Sequence, residues 1–210
     1  MKRLEGRPII VTGGGSGIGK GACQRIAEEG GLVTVADIRS QIAEETAAEI
    51  RDAGGNAIAV TCDVSKEDQV AEMVARTVAE FGGLWGLAAN AGTAGNGWIH
   101  ETELADFQFV LNVNLIGAFL CSKHALPHMM KGGGGSIVMT SSVAGTIIGP
   151  GGAAASYAAS KHGVIGLAKQ IAVDYGSWNI RGNAIQPSGV EGANFSEHVL
   201  EDQQRATTPR

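Results

Sequence analysis

Short apolar segments alternate with amphipathic helical segments along the chain, and this alternation limits the possible fold more than any other sequence feature. The apolar segments have the length of strands, and they cover residues 8–12, 32–36, 57–61, 84–89, 136–140 and 180–185. Apolar residues recur at helical spacing over residues 18–29, 41–53, 65–81, about 103–130 and about 156–175. Apolar strands separated by helices predict an α/β fold with a doubly wound parallel sheet and helices on both faces.

The length and composition suit one ordered domain. The chain has 210 residues, and no internal repeat or linker divides it, so we expect a single domain over residues 1–210. Hydrophobic residues make up 44% and charged residues 18%, which excludes a disordered chain. Glycine is abundant, with 32 residues and no Gly-X-Y period, which predicts many tight loops.

Charge and cysteine content indicate a compartment and exclude two classes of partner. The net charge of −5 argues against nucleic-acid binding, which needs a basic surface. Polar residues or glycines interrupt the apolar runs before they reach the roughly 18 residues of a membrane span, and we find no signal peptide. Three widely spaced cysteines, Cys23, Cys62 and Cys121, suggest reduced thiols. We therefore expect a cytoplasmic protein that binds neither nucleic acid nor membrane.

A glycine-rich loop joins the first strand to the first helix, and residues 12–19 read TGGGSGIG. Glycines allow the backbone to approach a diphosphate, and the helix N-terminus offers it N–H groups and a positive dipole end. Asp37 ends the second strand and can accept hydrogen bonds from an adenosine ribose, whereas it would repel a 2′-phosphate. The loop has no Lys or Arg before Gly17, although Arg39 lies nearby. This pattern predicts NAD, with NADP as the less favoured cofactor.

Four motifs follow strands or lie on helices in an order typical of one family. They are T-G-x-x-x-G-x-G at residues 12–19, N-A-G at residues 90–92, Ser142, and Y-x-x-x-K at residues 157–161. Asn114, within NVNLIGAF, looks like the helix asparagine of the same family. The combination resembles the short-chain dehydrogenases/reductases over nearly the whole chain. The resemblance implies a single-domain Rossmann fold and an NAD-dependent oxidoreductase that acts on an alcohol or carbonyl substrate.

The resemblance also implies roles for individual residues. The implied catalytic tetrad is Asn114, Ser142, Tyr157 and Lys161, with Ser141 as an alternative serine. The implied cofactor-binding residues are Gly13, Ser16, Gly17, Ile18, Gly19, Asp37, Asp63, Val64, Asn90, Ala91, Gly92, Tyr157, Lys161, Pro187 and Val190. Of these, Asp63 is expected to hydrogen-bond the adenine and Val64 to pack against it. Family members pair through their two long helices, so a homodimer or homotetramer is expected.

Tyr157 and Lys161 are four residues apart and so share one face of a helix. A tyrosine pKa near 10 must fall by roughly 3 units for base catalysis, which corresponds to about 4 kcal/mol. One cation about 4 Å away supplies about 4 kcal/mol at an effective dielectric constant near 20, while burial opposes it. We expect Tyr157 to exchange the proton, Ser142 to hold the substrate oxygen, and Asn114 to interrupt its helix and hold a water.

The sequence departs from the family pattern near its end. Ser188 and Gly192 stand where the family usually has glycine and threonine, and the chain stops at Arg210. We therefore expect the family's C-terminal helix and seventh strand to be lacking. Two alternatives stay open: a non-catalytic or truncated nucleotide-binding scaffold, and an NADP-preferring reductase. The sequence leaves the substrate open among sugars, steroids, hydroxy acids and acyl compounds.

Two further features have weaker functional interpretations. His124 and His128 are spaced for one helix face, but no third ligand stands nearby, so we expect packing or surface histidines and no metal site. Trp98, on the loop after N-A-G, is a candidate for the wall of a substrate site, and the alternative is an aromatic side chain packed onto the fold.

Overall fold

The computed structural model describes residues 2–95, 97–147 and 154–190. Six strands are described: β1 Pro8–Thr12, β2 Leu32–Asp37, β3 Asn56–Thr61, β4 Gly86–Ala89, β5 Gly135–Thr140 and β6 Ile180–Ile185. The α-helices are α1 Gly17–Glu28, α2 Ser40–Asp52, α3 Glu67–Phe81, α4 Leu104–Leu111, α5 Gly117–Lys131 and α6 Ala155–Tyr175. A π-helical turn, Asn112–Ile116, joins α4 to α5, and two 3-10 turns cover Val143–Gly145 and Gly176–Trp178.

All six strands pair in parallel, in the order β3-β2-β1-β4-β5-β6. Val11 lies opposite Val35 on one side of β1 and opposite Ala88 on the other. The strand order reverses between β1 and β4, where a crevice forms beyond the carboxyl ends of the strands. The predicted doubly wound parallel sheet is confirmed.

Both faces of the sheet are buried. Ile10, Leu87 and Ile137 belong to the core layer beneath α3, α5 and α6, and the other layer, beneath α1 and α2, contains Val11 and Val35. Near-continuous apolar strands such as β1 are the sequence signature of a sheet covered on both faces. The helices thereby leave the carboxyl ends of the strands as the open edge.

The three cysteines are free thiols buried in these layers. Burial raises the pKa of Cys23 and of Cys62 to about 12 and raises that of Cys121 still further. Thiols with pKa values this high carry almost no thiolate at neutral pH, so these cysteines are packing residues.

The predicted start of α3 is wrong. The predicted helical segment begins at residue 65, where serine is a preferred N-cap residue, but α3 begins at Glu67 with Lys66 in the cap position and no side-chain cap bond. The Ser65 N–H and hydroxyl instead donate to Asp63 Oδ1, at 2.9 and 2.7 Å. These bonds to a charged acceptor are strong, and they orient the Ser65 side chain toward Asp63 in a tight turn that precedes the helix.

The long helix predicted over residues 103–130 is divided by the π turn. The helical stretch Leu104–Lys131 is long and apolar enough to cross a membrane by length and composition, contrary to the sequence-based expectation. In the fold it packs against α3 and α6, and Leu120, Ala125 and Met129 lie in the core. This stretch is therefore a core helix of the α/β fold.

Candidate active site

The glycine loop between β1 and α1 has a backbone that larger residues would strain. Gly13 and Gly17 have positive φ angles of 64° and 51°. A Cβ at Gly19 would lie 2.0 Å from the Gly13 carbonyl oxygen and 2.7 Å from Asn90 Nδ2. Ser16 makes no side-chain cap bond among the described residues, and the first turn of α1 has no acidic residue. The N–H groups that begin α1 are therefore well placed to receive an anion.

We expect the Gly19→Ala variant to lose cofactor binding at least tenfold, because its Cβ would press on backbone that cannot yield cheaply. The matched control is Gly21→Ala on the same helix, since a Cβ at Gly21 meets nothing within 4 Å. The control should be stabilised by about 1 kcal/mol, because alanine is the better helix former. Urea unfolding and NADH titration check both variants. Equal behaviour of the two variants would contradict the crowding at Gly19.

The end of β2 holds a carboxylate and a guanidinium side by side. Asp37 is buried, and its Oδ2 accepts from the Gly15 N–H at 3.2 Å. Its Oδ1 accepts from the Arg39 N–H at 3.0 Å and lies 3.6 Å from Arg39 Nε. Arg39 Nη2 also donates to Ser16 Oγ at 3.2 Å. Arg39 thus links the end of β2 to the glycine loop, a contact that the sequence did not predict.

Asn90 ties three strand ends together. The N–H groups of Asn90 and Ala91 donate to Thr12 Oγ1 at 3.0 and 3.1 Å, and Asn90 Nδ2 donates to the Thr12 carbonyl at 3.1 Å. Thr140 Oγ1 donates to Asn90 Oδ1 at 3.1 Å. Gly92 follows at the surface, where a Cβ would lie 3.4 Å from Lys161 Nζ. The N-A-G segment therefore connects the glycine loop to the residues on α6.

Tyr157 and Lys161 lie on α6 beside Ser142. Lys161 is buried, its Nζ donates to the Thr140 carbonyl at 2.8 Å, and it lies 5.5 Å from the centre of the Tyr157 ring. Burial lowers the pKa of Lys161 to about 8. Burial also raises the pKa of Tyr157, while a hydrogen bond with the Ser142 side chain lowers it.

The structure distinguishes the two neighbouring serines. Ser141 is buried, and its hydroxyl donates to the Lys161 carbonyl at 2.8 Å. Ser142 is half-buried, caps the short 3-10 turn by accepting from the Ala144 N–H at 3.2 Å, and hydrogen-bonds to Tyr157. Ser142 is therefore the serine that stands with the tyrosine, and Ser141 supports the backbone of α6.

Asn114 lies buried on the π turn, which agrees with the expectation that its helix is interrupted there. Its Oδ1 accepts from the Thr93 N–H at 2.8 Å, and its Nδ2 donates to the Thr93 carbonyl and to Ser160 Oγ, both at 3.0 Å. Sequence reasoning missed Thr93, Thr140 and Ser160. The available signal was position alone, since Thr140 ends β5 and Ser160 directly precedes Lys161.

Three other predicted cofactor residues lie around this crevice. Ile18 is half-buried at the start of α1, and Asp63 Oδ1 is engaged by Ser65. Val64 is 6% exposed and packs beneath Gly117, where a Cβ would lie 2.7 Å from Val64 Cγ2. That packing places most of Val64 in the core, and its contact with an adenine stays a prediction.

The loops that follow β5 and β6 meet at the same edge. The Val143 N–H donates to the Pro187 carbonyl at 3.1 Å, and Thr146 Oγ1 donates to Gln186 Oε1 at 2.7 Å. Val190 is exposed beyond them. Gly192 and the terminal segment 201–210 lie outside the described residues.

The weaker sequence candidates have separate positions. Trp98 is 60% exposed, so the alternative of an aromatic packed onto the fold is wrong. His124 Nε2 lies 3.1 Å from Glu67 Oε1, which also accepts from Lys123 at 2.6 Å, so this histidine belongs to a surface ion network. Within residues 2–95, 97–147 and 154–190, no group of three or more His, Cys, Asp or Glu side chains could hold a metal ion.

The strand order, the crevice at β1 and β4 and the glycine loop define a Rossmann-type α/β protein. The family profile described as short chain dehydrogenase matches residues 7–204. The chain belongs to the short-chain dehydrogenases/reductases, a family of oxidoreductases that use nicotinamide cofactors.

Individual relatives agree with this membership. Tropinone reductase-like 2 of Erythroxylum coca is 44% identical over 90% of this chain and 68% of its own length. The 2,5-dichloro-2,5-cyclohexadiene-1,4-diol dehydrogenase of Sphingobium indicum is 41% identical over 90% of this chain and 75% of its own. A crystal structure of a short-chain type dehydrogenase/reductase from Mycobacterium marinum matches with a TM-score of 0.90, at 32% identity, and covers 94% of this chain and 78% of that one.

Proposed function

We propose that this chain is an NAD-dependent oxidoreductase that interconverts a secondary alcohol and the corresponding carbonyl compound. The observation that carries the proposal is the grouping of Tyr157, Ser142 and Lys161 at the carboxyl edge of the sheet, beside the glycine loop. A scaffold that only bound a nucleotide would have no use for a buried lysine next to a tyrosine and a serine. The bound nicotinamide would accept or supply the hydride.

The residues present suit a dinucleotide. Gly13 and Gly19 allow the loop to pack directly against its own backbone and against Asn90, at the start of a helix whose first turn has no acidic residue. We assign the diphosphate to this loop, from Gly13 to Gly19, and the adenosine ribose to Asp37. The nicotinamide end would lie toward Lys161. The other assigned residues are Ser16, Ile18, Asp63, Asn90, Ala91, Gly92, Pro187 and Val190.

Tyr157 would exchange the proton with the substrate oxygen. During oxidation the alcohol O–H proton passes to the Tyr157 phenolate as the hydride leaves the carbon, and during reduction the proton returns. Ser142 would hold the substrate oxygen, because it already hydrogen-bonds to Tyr157. Burial opposes the phenolate, so the positive charge of Lys161 has to offset it. With a pKa of about 8, Lys161 still carries that charge at neutral pH.

We propose cyclic secondary alcohols or ketones as the substrate class. The names of the two relatives mention tropinone and a dichloro-cyclohexadiene diol. Exposed apolar side chains lie on the loops that follow two of the strands: Val143 and Ile147 after β5, and Trp98 and Ile99 after β4. Such side chains would contact a hydrocarbon ring by apolar burial.

The test is an assay of the purified chain with NAD and paired alcohols. Each cyclic secondary alcohol is matched with a linear secondary alcohol of equal carbon number, and NADH formation is followed by absorbance. Turnover that favours the cyclic member of each pair supports both the reaction and the substrate class. Turnover with linear alcohols alone retains the reaction and rejects the class. NADH binding without any turnover would favour the scaffold alternative.

Asp37 should select NAD over NADP. We expect Asp37→Ser to bind NADH about 10- to 100-fold more weakly, because charge-assisted hydrogen bonds contribute about 1.5–3 kcal/mol. NADPH binding should strengthen in the same variant, since the neighbouring Arg39 guanidinium remains. Fluorescence titration with each cofactor measures both effects, and Glu49→Ser, on the exposed face of α2, serves as the control. Tighter NADPH than NADH binding by the wild-type chain would reject Asp37 as the selector.

We also propose that copies of the chain associate as homodimers or homotetramers. Phe109, Ile116 and Phe119, on α4, the π turn and α5, are 58%, 42% and 46% exposed. Burying such side chains against a second copy would remove apolar area from water. Sedimentation of the wild-type chain and of a Phe109→Ser variant tests this association. The three free, buried thiols support a reducing compartment, the cytoplasm.

A further inference from the structure

Ser160 is a fully buried serine on α6, between Tyr157 and Lys161 in the chain. Its hydroxyl donates to the Tyr157 carbonyl oxygen at 2.7 Å. The Ser160 Oγ in turn accepts a hydrogen bond from Asn114 Nδ2 at 3.0 Å. One hydroxyl group therefore joins the helix that carries the tyrosine and lysine to the π turn.

The connection continues from Asn114 into the loop after β4. Asn114 holds Thr93 by two bonds, one to its N–H at 2.8 Å and one to its carbonyl at 3.0 Å. Together, Ser160 and Asn114 fasten three segments that are distant in sequence: α6, the π turn and the loop that begins with N-A-G. Gly163 on α6 packs against Leu115 on the same turn, so the polar link lies beside an apolar contact.

We propose that Ser160 is a positioning residue that acts through Asn114 to fix α6, and with it Tyr157 and Lys161, against the loop after β4. The inference rests on the proposed function. Without the Ser160 hydroxyl, Asn114 Nδ2 would lose a buried acceptor, and the two helices would lose their shared hydrogen bond. A displacement of reacting groups by about 1 Å can lower a rate about 100-fold.

The first variant is Ser160→Ala, and its matched control is Ser122→Ala. Ser122 is also a buried serine on a long helix, and its hydroxyl donates to the Ala118 carbonyl at 2.7 Å without touching the site. We expect Ser160→Ala to lower kcat about 10- to 100-fold with KM and NADH affinity within about threefold. The control should retain its kcat. An equal loss in both variants would mean general destabilisation and would overturn the proposal.

A double-mutant cycle with Asn114→Ala tests the route of the effect. If Ser160 acts through Asn114, adding Ser160→Ala to the Asn114→Ala variant should lower kcat by less than about twofold. The pH at which the oxidation rate reaches half its maximum should rise in Ser160→Ala. The turn of α6 that holds Tyr157 close to Lys161 loses the bond from the Ser160 hydroxyl to the Tyr157 carbonyl. This pH should not move in Ser122→Ala. Independent, multiplying losses or an unchanged pH profile would overturn the proposal.

A readout without turnover separates this inference from the proposed function. The Thr93 amide hydrogen is held by Asn114 Oδ1, so its exchange with deuterium should accelerate at least tenfold in Ser160→Ala and stay unchanged in Ser122→Ala. A wild-type chain without turnover would reject the proposed function while leaving this exchange measurement decisive. Should Ser160→Ala not fold, Ser160→Cys, with a weaker donor in the same position, replaces it. Wild-type Thr93 exchange in the folded variant would overturn the link.

Discussion

Replacing Tyr157 with phenylalanine is expected to lower kcat by about a thousandfold or more, while the dissociation constant for NADH changes by less than about twofold. General acid–base catalysis contributes about 10²- to 10⁴-fold to a rate, and the phenol is the group we assign to it. The ring would stay in place, so the packing at the start of α6 is retained, but Ser142 would lose its hydrogen-bond partner. Kinetic assays measure kcat, and NADH fluorescence titration measures the dissociation constant.

The matched control for this substitution is Tyr175→Phe. Tyr175 ends the same helix, is half-buried, and its ring lies 5.8 Å from that of Trp178, far along α6 from the site. Loss of its hydroxyl should leave kcat unchanged. A Tyr157→Phe variant that keeps more than a tenth of the wild-type kcat would reject the assignment of the proton to Tyr157.

Replacing Lys161 with methionine should lower kcat at least about 100-fold, because the charge that offsets burial of the phenolate disappears. The same substitution should have a pH-dependent effect on stability. Burial lowers the pKa of Lys161 from 10.5 to about 8, so folding holds a charged lysine in an unfavourable environment at neutral pH. The methionine side chain carries no such charge at any pH.

The direction of the stability effect follows from the two pKa values. Below pH 8 the lysine is protonated in both the folded and the unfolded state. Burial of its charge then lowers the free energy of unfolding. Between pH 8 and 10.5 the unfolded chain binds more protons than the folded chain, so folding becomes more favourable as pH rises. The stability of the wild type relative to Lys161→Met should therefore increase by about 2 kcal/mol from pH 7 to pH 10.

Urea unfolding of both proteins at pH 7 and pH 10 measures this difference. Lys169→Met is the control, because Lys169 lies exposed on the same helix and is not buried by folding. A relative stability that stays constant between the two pH values would show that Lys161 is not strained by burial. Lys161 would then lower stability at neutral pH and still be required for turnover, as expected of a residue retained for its chemistry.

Much of the fold follows from local sequence properties. Strands such as β1 and β2 consist of apolar residues that only a doubly covered sheet can bury, and the described strand ends lie within two residues of the predicted ones. The glycine loop and the four-residue spacing of Tyr157 and Lys161 are likewise local. The N-cap expected at Ser65 does not form because the Ser65 side chain is oriented toward the Asp63 carboxylate, and local propensity does not distinguish these two arrangements.

The remaining parts of the site depend on which helix faces meet. Ser160 is separated from Asn114 by 46 residues, and their hydrogen bond exists because α6 packs beside the π turn. The contact of Arg39 with Ser16 joins residues 23 apart through the β2–β1 pairing. Neither pair has a sequence pattern of its own. Long-range packing therefore determines which residues support the site, whereas local sequence motifs identify the glycine loop, Tyr157 and Lys161.

The π turn at residues 112–116 amounts to one inserted residue in an otherwise regular helix. Each helical residue advances the chain by about 100° around the helix axis, so one inserted residue rotates the side chains that follow it relative to those that precede it. Val110 before the turn and Leu120 after it are both buried, and Asn114 within the turn bonds to Thr93 and Ser160. A homologue that deleted one residue here would gain a more regular helix and rotate its asparagine away from Thr93. The same five residues thus cannot both form a regular helix and place the asparagine in the cleft.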